Sequence, residues 1–355
     1  MAENEGVVHI TVKPNGPLRV EGHIVLKDAD GKEWDLTGKP AISLCRCGLS
    51  EKRPFCDGSH GRQGWMCSAS PEGNLSEWSG MTRHEKYRAF RALHERTGAF
   101  VIPNPWNAGT ARILTAVGFE ALATTSAGYA FAVGRRDSVA GLTRQEMLEN
   151  AREIVSATDL PVAADLQDGF GSNPDVCAET IRLAAEIGLV GGSIEDATGN
   201  PDDPIYAFEL AVERVAAAAR AARDHEFVLT ARAENFLHGR LDLDDTIKRL
   251  KAFERAGADV LYAPGLTDIE AIRNVCASVS KPVNVVMGLK GATYSVDELA
   301  AAGVKRISVG GSMARAALGA FVRAAREVKD HGTFTYASEA ISQAEATSYM
   351  LKGER

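Results

Sequence analysis

From about residue 81 onward the chain repeats one pattern eight times, a short apolar run followed by an amphipathic helical stretch. The apolar runs fall at 100–105, 119–125, 161–166, 190–195, 227–232, 260–264, 282–287 and 306–310. Runs this short, bounded by turn formers, suit strands buried on both faces. The stretches between them, such as Arg144 to Ser156, Val176 to Ile187 and Phe208 to Arg223, carry apolar residues at helical spacing. Eight strand-then-helix units in about 250 residues is the arithmetic of a (β/α)8 barrel. A doubly wound open sheet is the alternative, but the first strand–helix turn has no G-x-G-x-x-G. The sequence therefore predicts an α/β chain whose larger part, 81–355, is a TIM barrel with C-terminal helices.

The front of the chain reads differently. Alternation typical of strands appears at Val7 to Val12 and His23 to Leu26, separated by Pro14-Asn15-Gly16-Pro17 and followed by Asp28-Ala29-Asp30-Gly31. This predicts a small β-rich domain over 1–78, joined to the barrel by a turn-rich linker at about 68–80. Within it, Cys45, Cys47, Cys56 and His60 stand at C-x-C-x8-C-x3-H spacing, with Gly48, Pro54 and Gly58 supplying turns. Three thiolates and one imidazole form a complete four-ligand metal set. Zinc also takes Cys3His tetrahedrally, although its sites usually offer C-x2–4-C pairs rather than C-x-C. Cys67, Cys177 and Cys276 are scattered, and the last two sit in apolar helical patterns as small core residues.

Composition narrows the partners. A net charge of −7 argues against a general nucleic-acid binder. No apolar run approaches the roughly 20 residues that span a bilayer, so no membrane partner is expected. The opening Met-Ala-Glu-Asn-Glu has neither the basic nor the apolar region of an export signal. A cytoplasmic location, where thiols stay reduced for metal, is the expectation.

Barrel enzymes place their working groups where strands end. Here those ends read Asn104-Pro-Trp-Asn107, Thr124-Thr-Ser126, Asp165-Leu-Gln-Asp168, Glu195-Asp196, Arg232-Ala-Glu234-Asn235 and Pro264-Gly265. Carboxylates with amide oxygens and water suit a hard cation such as Mg²⁺ or Mn²⁺. An arginine beside such a cation suits a substrate carboxylate, which its planar fork pairs bidentately. Together they would hold a 2-oxo or 2-hydroxy acid and stabilise an enolate as a neighbouring bond breaks.

Two resemblances follow from these residues. Cys56-Asp57-Gly58-Ser59-His60 resembles the CDGSH signature of the mitoNEET-type iron–sulfur proteins. The resemblance implies a [2Fe–2S] cluster with Cys45 and Cys47 on one iron and Cys56 with His60 on the other. Residues from about 85 to 335 resemble the isocitrate lyase/phosphoenolpyruvate mutase superfamily. Its D-x-D-x-G-Y-G element is similar to Asp165-Leu-Gln167-Asp168-Gly-Phe-Gly171, its E-D pair to Glu195-Asp196, and its A-R-x-E element to Ala231-Arg232-Ala233-Glu234. The segments Gly118 to Ser126 and Gly134 to Asp137 resemble its second-strand loop and first acidic residue.

By that resemblance Asp165 would hold Mg²⁺ directly, and Asp137, Gln167 and Glu195 through water. Arg232 would take the substrate carboxylate. Thr125, with the backbone N–H groups of Ser126 and Ala127, would receive the carboxylate and oxo end, with Glu234 close by and Trp106 walling the pocket. Gln167 stands where the family often has a second Asp, which removes one negative charge. The gate loop, Ala197 to Tyr206, lacks the Cys, His and Lys of the C–C-cleaving lyases, which disfavours isocitrate lyase chemistry. It leaves Asn200, Asp202 and Tyr206 as candidate gate residues. The expected function is a lyase or mutase acting on a C–C or P–C bond beside an enolisable 2-oxo or 2-hydroxy acid or phosphonate. The competing reading is an iron–sulfur redox, sensor or cluster-transfer protein, with an electron-transfer or cluster-acceptor partner and the barrel as platform. The resemblance further implies a homo-oligomer, dimer or tetramer, built through the helix from Met313 and the tail from Ser338 to Leu351.

Overall fold

The computed structural model describes residues 8–13, 15–28, 31–46, 50–62, 81–137, 141–289, 291 and 293–351. The chain divides into two compact units near residue 80. Among the described residues no helix is long and apolar enough to cross a membrane.

The first unit is a three-stranded antiparallel sheet of β1 (His9–Val12), β2 (Leu18–Glu21) and β3 (Ala41–Leu44), followed by the short helix α1 (Ser59–Arg62). The first alternating run is thus a strand and the second is not. The chain turns at Gly22, whose φ of 123° suits glycine alone. Residues 23–26 instead run to a small bridge between Lys27 and Glu33. Among the described residues of this unit, Val20 and Ile42 are the buried apolar ones. So small a core is marginal without a staple such as a metal.

The second unit is the barrel. Its strands are β4 (Phe100–Ile102), β5 (Leu122–Ala123), β6 (Val162–Asp165), β7 (Gly191–Glu195), β8 (Val228–Arg232), β9 (Val260–Tyr262), β10 (Val283–Val286) and β11 (Arg306–Ser308). All eight anticipated strands are present, each shorter than its apolar run. They pair in parallel in the order β4-β11-β10-β9-β8-β7-β6-β5. The seam between β4 and β5 is bridged by Ala123 N–H to the Pro103 carbonyl (3.0 Å) and by Asn104 Nδ2 to the Thr124 carbonyl (2.9 Å).

Around the barrel lie α2 (Arg83–Glu95), α3 (Ala108–Val117), α4 (Ser126–Ala132), α5 (Arg144–Ser156), α6 (Pro174–Glu186), α7 (Phe208–Asp224), α8 (Leu243–Ala256), α9 (Ile269–Ser278), α10 (Val296–Ala301), α11 (Ser312–His331) and α12 (Gln343–Leu351). Many start on a side-chain cap. Thr82 with Glu85, Thr143 with Glu146 and Ser295 with Glu298 form reciprocal capping boxes. Helix α12 returns to its own barrel, where Arg112 Nη1 donates to the Met350 carbonyl at 2.8 Å.

Helix α2 closes the N-terminal end of the barrel. Phe90 is fully buried among Phe100, Val190, Val228 and Val260, which lie at or next to strand starts. Burying such a ring stabilises the fold by roughly 1.5–3 kcal/mol. A Cβ on Gly191 would lie 2.7 Å from the Phe90 ring, so glycine is required there. His94, one turn on, stands edge-on to Phe90 and Phe100, with Nδ1 2.8 Å from the Phe90 carbonyl. Burial first, and then the Arg306 charge, push its pKa down to about 3. A base with a depressed folded pKa adds stability above its unfolded value, near 6.5, and loses it as pH falls toward 3. His94→Gln should therefore flatten the fall in urea midpoint between about pH 6.5 and 4, a difference on the order of 3 kcal/mol. An unchanged slope would contradict this assignment.

Candidate active site and metal centres

The mouth of the barrel is assembled by strand register. Parallel pairing sets Asp165 beside Ser193 and Glu195 beside Arg232, so the last residues of β6, β7 and β8 converge. Arg232 is their hub. Its Nε lies 2.7 Å from Glu234 Oε1, Nη1 3.3 Å from Asp165 Oδ1, and Nη2 3.1 Å from Glu195 Oε2. Tyr262 lies beneath the guanidinium, 5.1 Å from ring centroid to Cζ. Of these groups Asp165 and Arg232 line the cavity, whereas Glu195 and the buried Glu234 do not, nor do Ser126, Asp137 and Gln167.

Asp165 Oδ2 accepts from Ser126 Oγ at 2.7 Å and from Ser126 N–H at 3.3 Å. Thr125 lines the cavity, while its Oγ1 caps α4 by accepting from Gly128 N–H (3.2 Å). After Asp165 the chain turns through two non-glycine residues at positive φ, Gln167 (49°) and Phe170 (65°). Such conformations cost on the order of 1–3 kcal/mol each and persist where surrounding bonds enforce them. Here Asp165 Oδ1 accepts from Gln167 N–H (3.3 Å) and Asp168 Oδ1 from Phe170 N–H (2.9 Å).

Charge is crowded at this mouth. Burial, with Glu234 and Asp165 nearby, pushes the Glu195 carboxyl well above its usual range against the opposing Arg232 charge. Partial desolvation of its carboxyl, then Asp165, push Asp137 up in the same sense, although the residue as a whole is open to solvent. Carboxylates held together this way call for a cation, and Gln167 adds a buried Oε1 with no hydrogen-bond partner. These all-oxygen donors fit a hard divalent ion. Among the described residues no three acidic, His or Cys side chains converge as a metal-holding group, at the barrel mouth or around Cys45, Cys56 and His60.

The gate segment is placed elsewhere. Asn200 is exposed, and its Oδ1 accepts from Asp202 N–H (3.0 Å) in a local turn; neither residue lines the cavity. Tyr206 lies outside it too, donating to Asp168 Oδ2 (3.3 Å) and stacking on Arg214 at 3.9 Å. Asp168 is thus a turn former that also anchors the gate's end. Trp106 does not wall the cavity; its Cβ packs against Gly128 at the start of α4.

Sequence reasoning missed Arg214 and did not give Asp196, named only as half of the E-D pair, its bracing role. Arg214 of α7 is fully buried; it donates to the carbonyls of Asp168, Gly171 and Glu195, fixing the turn after β6 against the end of β7. Asp196 accepts from Glu234 N–H (2.8 Å) and from Arg249 (3.0 Å), tying β8's end to α8. The lumen residues Thr230, Asn284, Arg306 and Ser308 also escaped notice. Their signal is a polar residue inside a strand run, as in Val283-Asn284-Val285-Val286.

In the first unit, Cys56 Sγ and His60 Nδ1 approach to 3.3 Å. Backbone bonds from Cys45 N–H to the Pro54 carbonyl (2.9 Å) and from Cys56 N–H to the Ser43 carbonyl (2.8 Å) pair the segments that carry these two cysteines. Asp57 braces the loop, accepting from Ser59 N–H and Glu51 N–H (3.0 Å each). Cys47, the fourth anticipated ligand, lies outside the described residues. Soft sulfur with one imidazole fits an iron–sulfur group.

A parallel barrel with acids and one arginine at successive strand ends is the frame of a lyase- or mutase-class enzyme. Comparison with known proteins specifies it further. The family model of phosphoenolpyruvate phosphomutase matches residues 90–329, and the chain belongs to that family, within the phosphoenolpyruvate mutase/isocitrate lyase superfamily. The iron-binding zinc finger of CDGSH type matches residues 15–61, so the chain joins both modules. A crystal structure of a candidate lyase/mutase from Burkholderia cenocepacia J2315 is 60% identical, with TM-score 0.73, covering 75% of this chain and 96% of that one. The 2-methylisocitrate lyase of Escherichia coli (strain K12) is 29% identical over 63% of this chain and 78% of its own length. A 2,3-dimethylmalate lyase structure is 26% identical, with TM-score 0.67, covering 75% of this chain and 94% of that one.

Proposed function

We propose that the barrel is a Mg²⁺-dependent lyase or mutase that cleaves or rearranges a C–C or P–C bond next to an enolisable 2-oxo or 2-hydroxy carboxylate. The observation that carries this reading is Arg232, ringed by Asp165, Glu195 and Glu234 at the barrel mouth. Asp165 would hold the ion, with Asp137, Gln167 and Glu195 reaching it through water; bound there, Mg²⁺ would supply Lewis-acid stabilisation of enolate charge. Arg232 carries more N–H donors than its three carboxylates use, leaving part of its fork for a substrate carboxylate. Thr125 and the Ser126 and Ala127 backbone would orient the oxo end. Ser126 and Gln167 hold Asp165 in place, and Glu234 holds Arg232. Tyr262, its pKa raised by burial, stays protonated at Oη and remains a donor inside the cavity. The gate loop offers no Cys, His or Lys, so cleavage does not use the superfamily's gate-loop thiol acid.

The test is turnover of oxaloacetate, phosphonopyruvate and alkylmalates by purified protein with Mg²⁺. Asp165→Ala should lower kcat by at least about 10²-fold, the scale of losing one preorganised electrostatic group. No turnover of any of the three, or an unaffected variant, would leave the redox-carrier reading in its place.

The front module, on this proposal, binds a [2Fe–2S] cluster through Cys45, Cys47, Cys56 and His60. The barrel, in turn, associates through α11. In this 20-residue helix the buried residue is Ala314, whereas Leu318, Phe321 and Val322 are exposed, Phe321 by 71%. That much uncovered apolar surface suits a second copy of the chain. Light scattering should report a dimer or tetramer, and Phe321→Glu should shift it toward monomer. A monomeric wild type at micromolar concentration would refute the assembly.

A further inference from the structure

Barrel interiors are ordinarily filled with layers of bulky aliphatic side chains. Here the layer beneath the mouth is polar. Thr230 precedes Arg232 by two residues on β8 and lines the same cavity, joined by Asn284 of β10 and by Arg306 and Ser308 of β11. Arg306 is 6% exposed. It donates from Nε to Asn284 Oδ1 and from Nη2 to Thr230 Oγ1, each at 2.8 Å, and its Nη1 faces His94 Nε2 at 3.5 Å. Because His94 Nδ1 is committed to the Phe90 carbonyl, the hydrogen-bond network assigns Nε2 the acceptor role. Asn284 Nδ2 in turn donates to Ser308 Oγ at 3.1 Å.

Every one of these partners is neutral, and among the described residues no carboxylate forms an ion pair with Arg306. Burial lowers its pKa to about 10, which still leaves it protonated at neutral pH. A buried cation without a counter-ion is costly, so the lumen is complementary to an anion. The cavity runs from Thr125, Asp165 and Arg232 at the mouth down to Arg306, and the opposite wall of Ala163, Ala164 and Gly192 is small. Its volume is about 70 Å³. That admits one carboxylate or a few waters, since a cavity needs roughly 10–15 Å³ to hold a single water.

We propose that this lumen is an anion subsite in which Arg306 takes the second carboxylate of a short dicarboxylic acid whose first carboxylate rests on Arg232. The inference rests on the reading of Arg232 as the substrate-carboxylate anchor. It makes the preferred substrate a diacid, and it assigns selectivity to β11 rather than to the gate loop. Thr230 and Asn284 are positioning residues that hold the Arg306 fork in the lumen.

Isothermal titration of the full chain with Mg²⁺ present, using malonate, succinate and the monoacid propionate, tests it. Wild type should bind at least one diacid about tenfold or more tighter than propionate. Arg306→Gln should erase that preference, a loss of roughly 10- to 100-fold for charge-assisted hydrogen bonds, and leave propionate unchanged. Arg232→Met should lose all three acids. If Arg232→Met loses them while Arg306→Gln keeps the diacid preference, the subsite is overturned and the mouth reading survives. If wild type binds none of the three, both readings fall. Should Arg306→Gln not fold, a crystal structure of wild type with succinate decides: a carboxylate within hydrogen-bond reach of Arg306 supports the subsite, and a lumen filled by water alone overturns it.

Discussion

Replacing Arg232 by methionine is expected to destabilise the barrel by about 3–5 kcal/mol, the scale of stripping one partner from a buried ion pair, and to lower kcat/KM by at least about 10²-fold. Among the described residues, the three carboxylates it faces form no ion pair with a second cation. Without Arg232 they would repel one another in a site where Glu195 is already pushed upward by burial. The pH dependence has a definite sign. A carboxyl whose folded pKa is raised adds stability at low pH and loses it as pH rises through the folded value. The variant should therefore lose most relative to wild type at neutral pH and approach it toward about pH 4.5, where carboxyls protonate. Millimolar Mg²⁺ should recover part of the lost stability, because a cation that binds only the folded mouth shifts the equilibrium by mass action. Calorimetry of both proteins with and without Mg²⁺ at two pH values reads all of this. Equal stability across those conditions would mean that the acids are not the electrostatic unit their distances indicate.

Much of the barrel was legible because its strands are buried on both faces and so stand out as apolar runs. Glu195 and Arg232 could be placed at strand ends from pattern alone, and register then set them side by side. The gate was harder to read. Asn200 looks available in sequence, yet an Asx turn spends its side chain on Asp202 N–H, and such local bonding leaves no periodic trace. Glu234 follows Arg232 by two residues, and that spacing alone does not reveal the 2.7 Å contact its Oε1 makes with Arg232 Nε. Arg214 and Arg306 were invisible for a different reason. An arginine on a helix or at a strand start is normally a surface residue, and only the tertiary fold buries these two.

The largest effect expected in the first unit is loss of its metal group when Cys56 or His60 is changed. Cys56→Ser should give colourless protein with little bound iron, because the hydroxyl is a far poorer ligand than the thiolate. His60 makes the wild-type group acid-labile by the same logic. The imidazole binds metal only when deprotonated, and its Nδ1 is the atom turned toward Cys56 Sγ. Visible absorption should therefore bleach under mild acid. His60→Cys should resist acid and move the midpoint potential downward by roughly 100 mV or more, since exchanging imidazole for thiolate ligands separates such clusters by hundreds of millivolts. Because Val20 and Ile42 form so small a core, removing the group should also loosen the loop carried by β3, which proteolysis of the full chain would report. Zinc in place of iron after anaerobic purification, or absorption unchanged down to pH 5, would defeat the iron–sulfur assignment while leaving the barrel chemistry untouched.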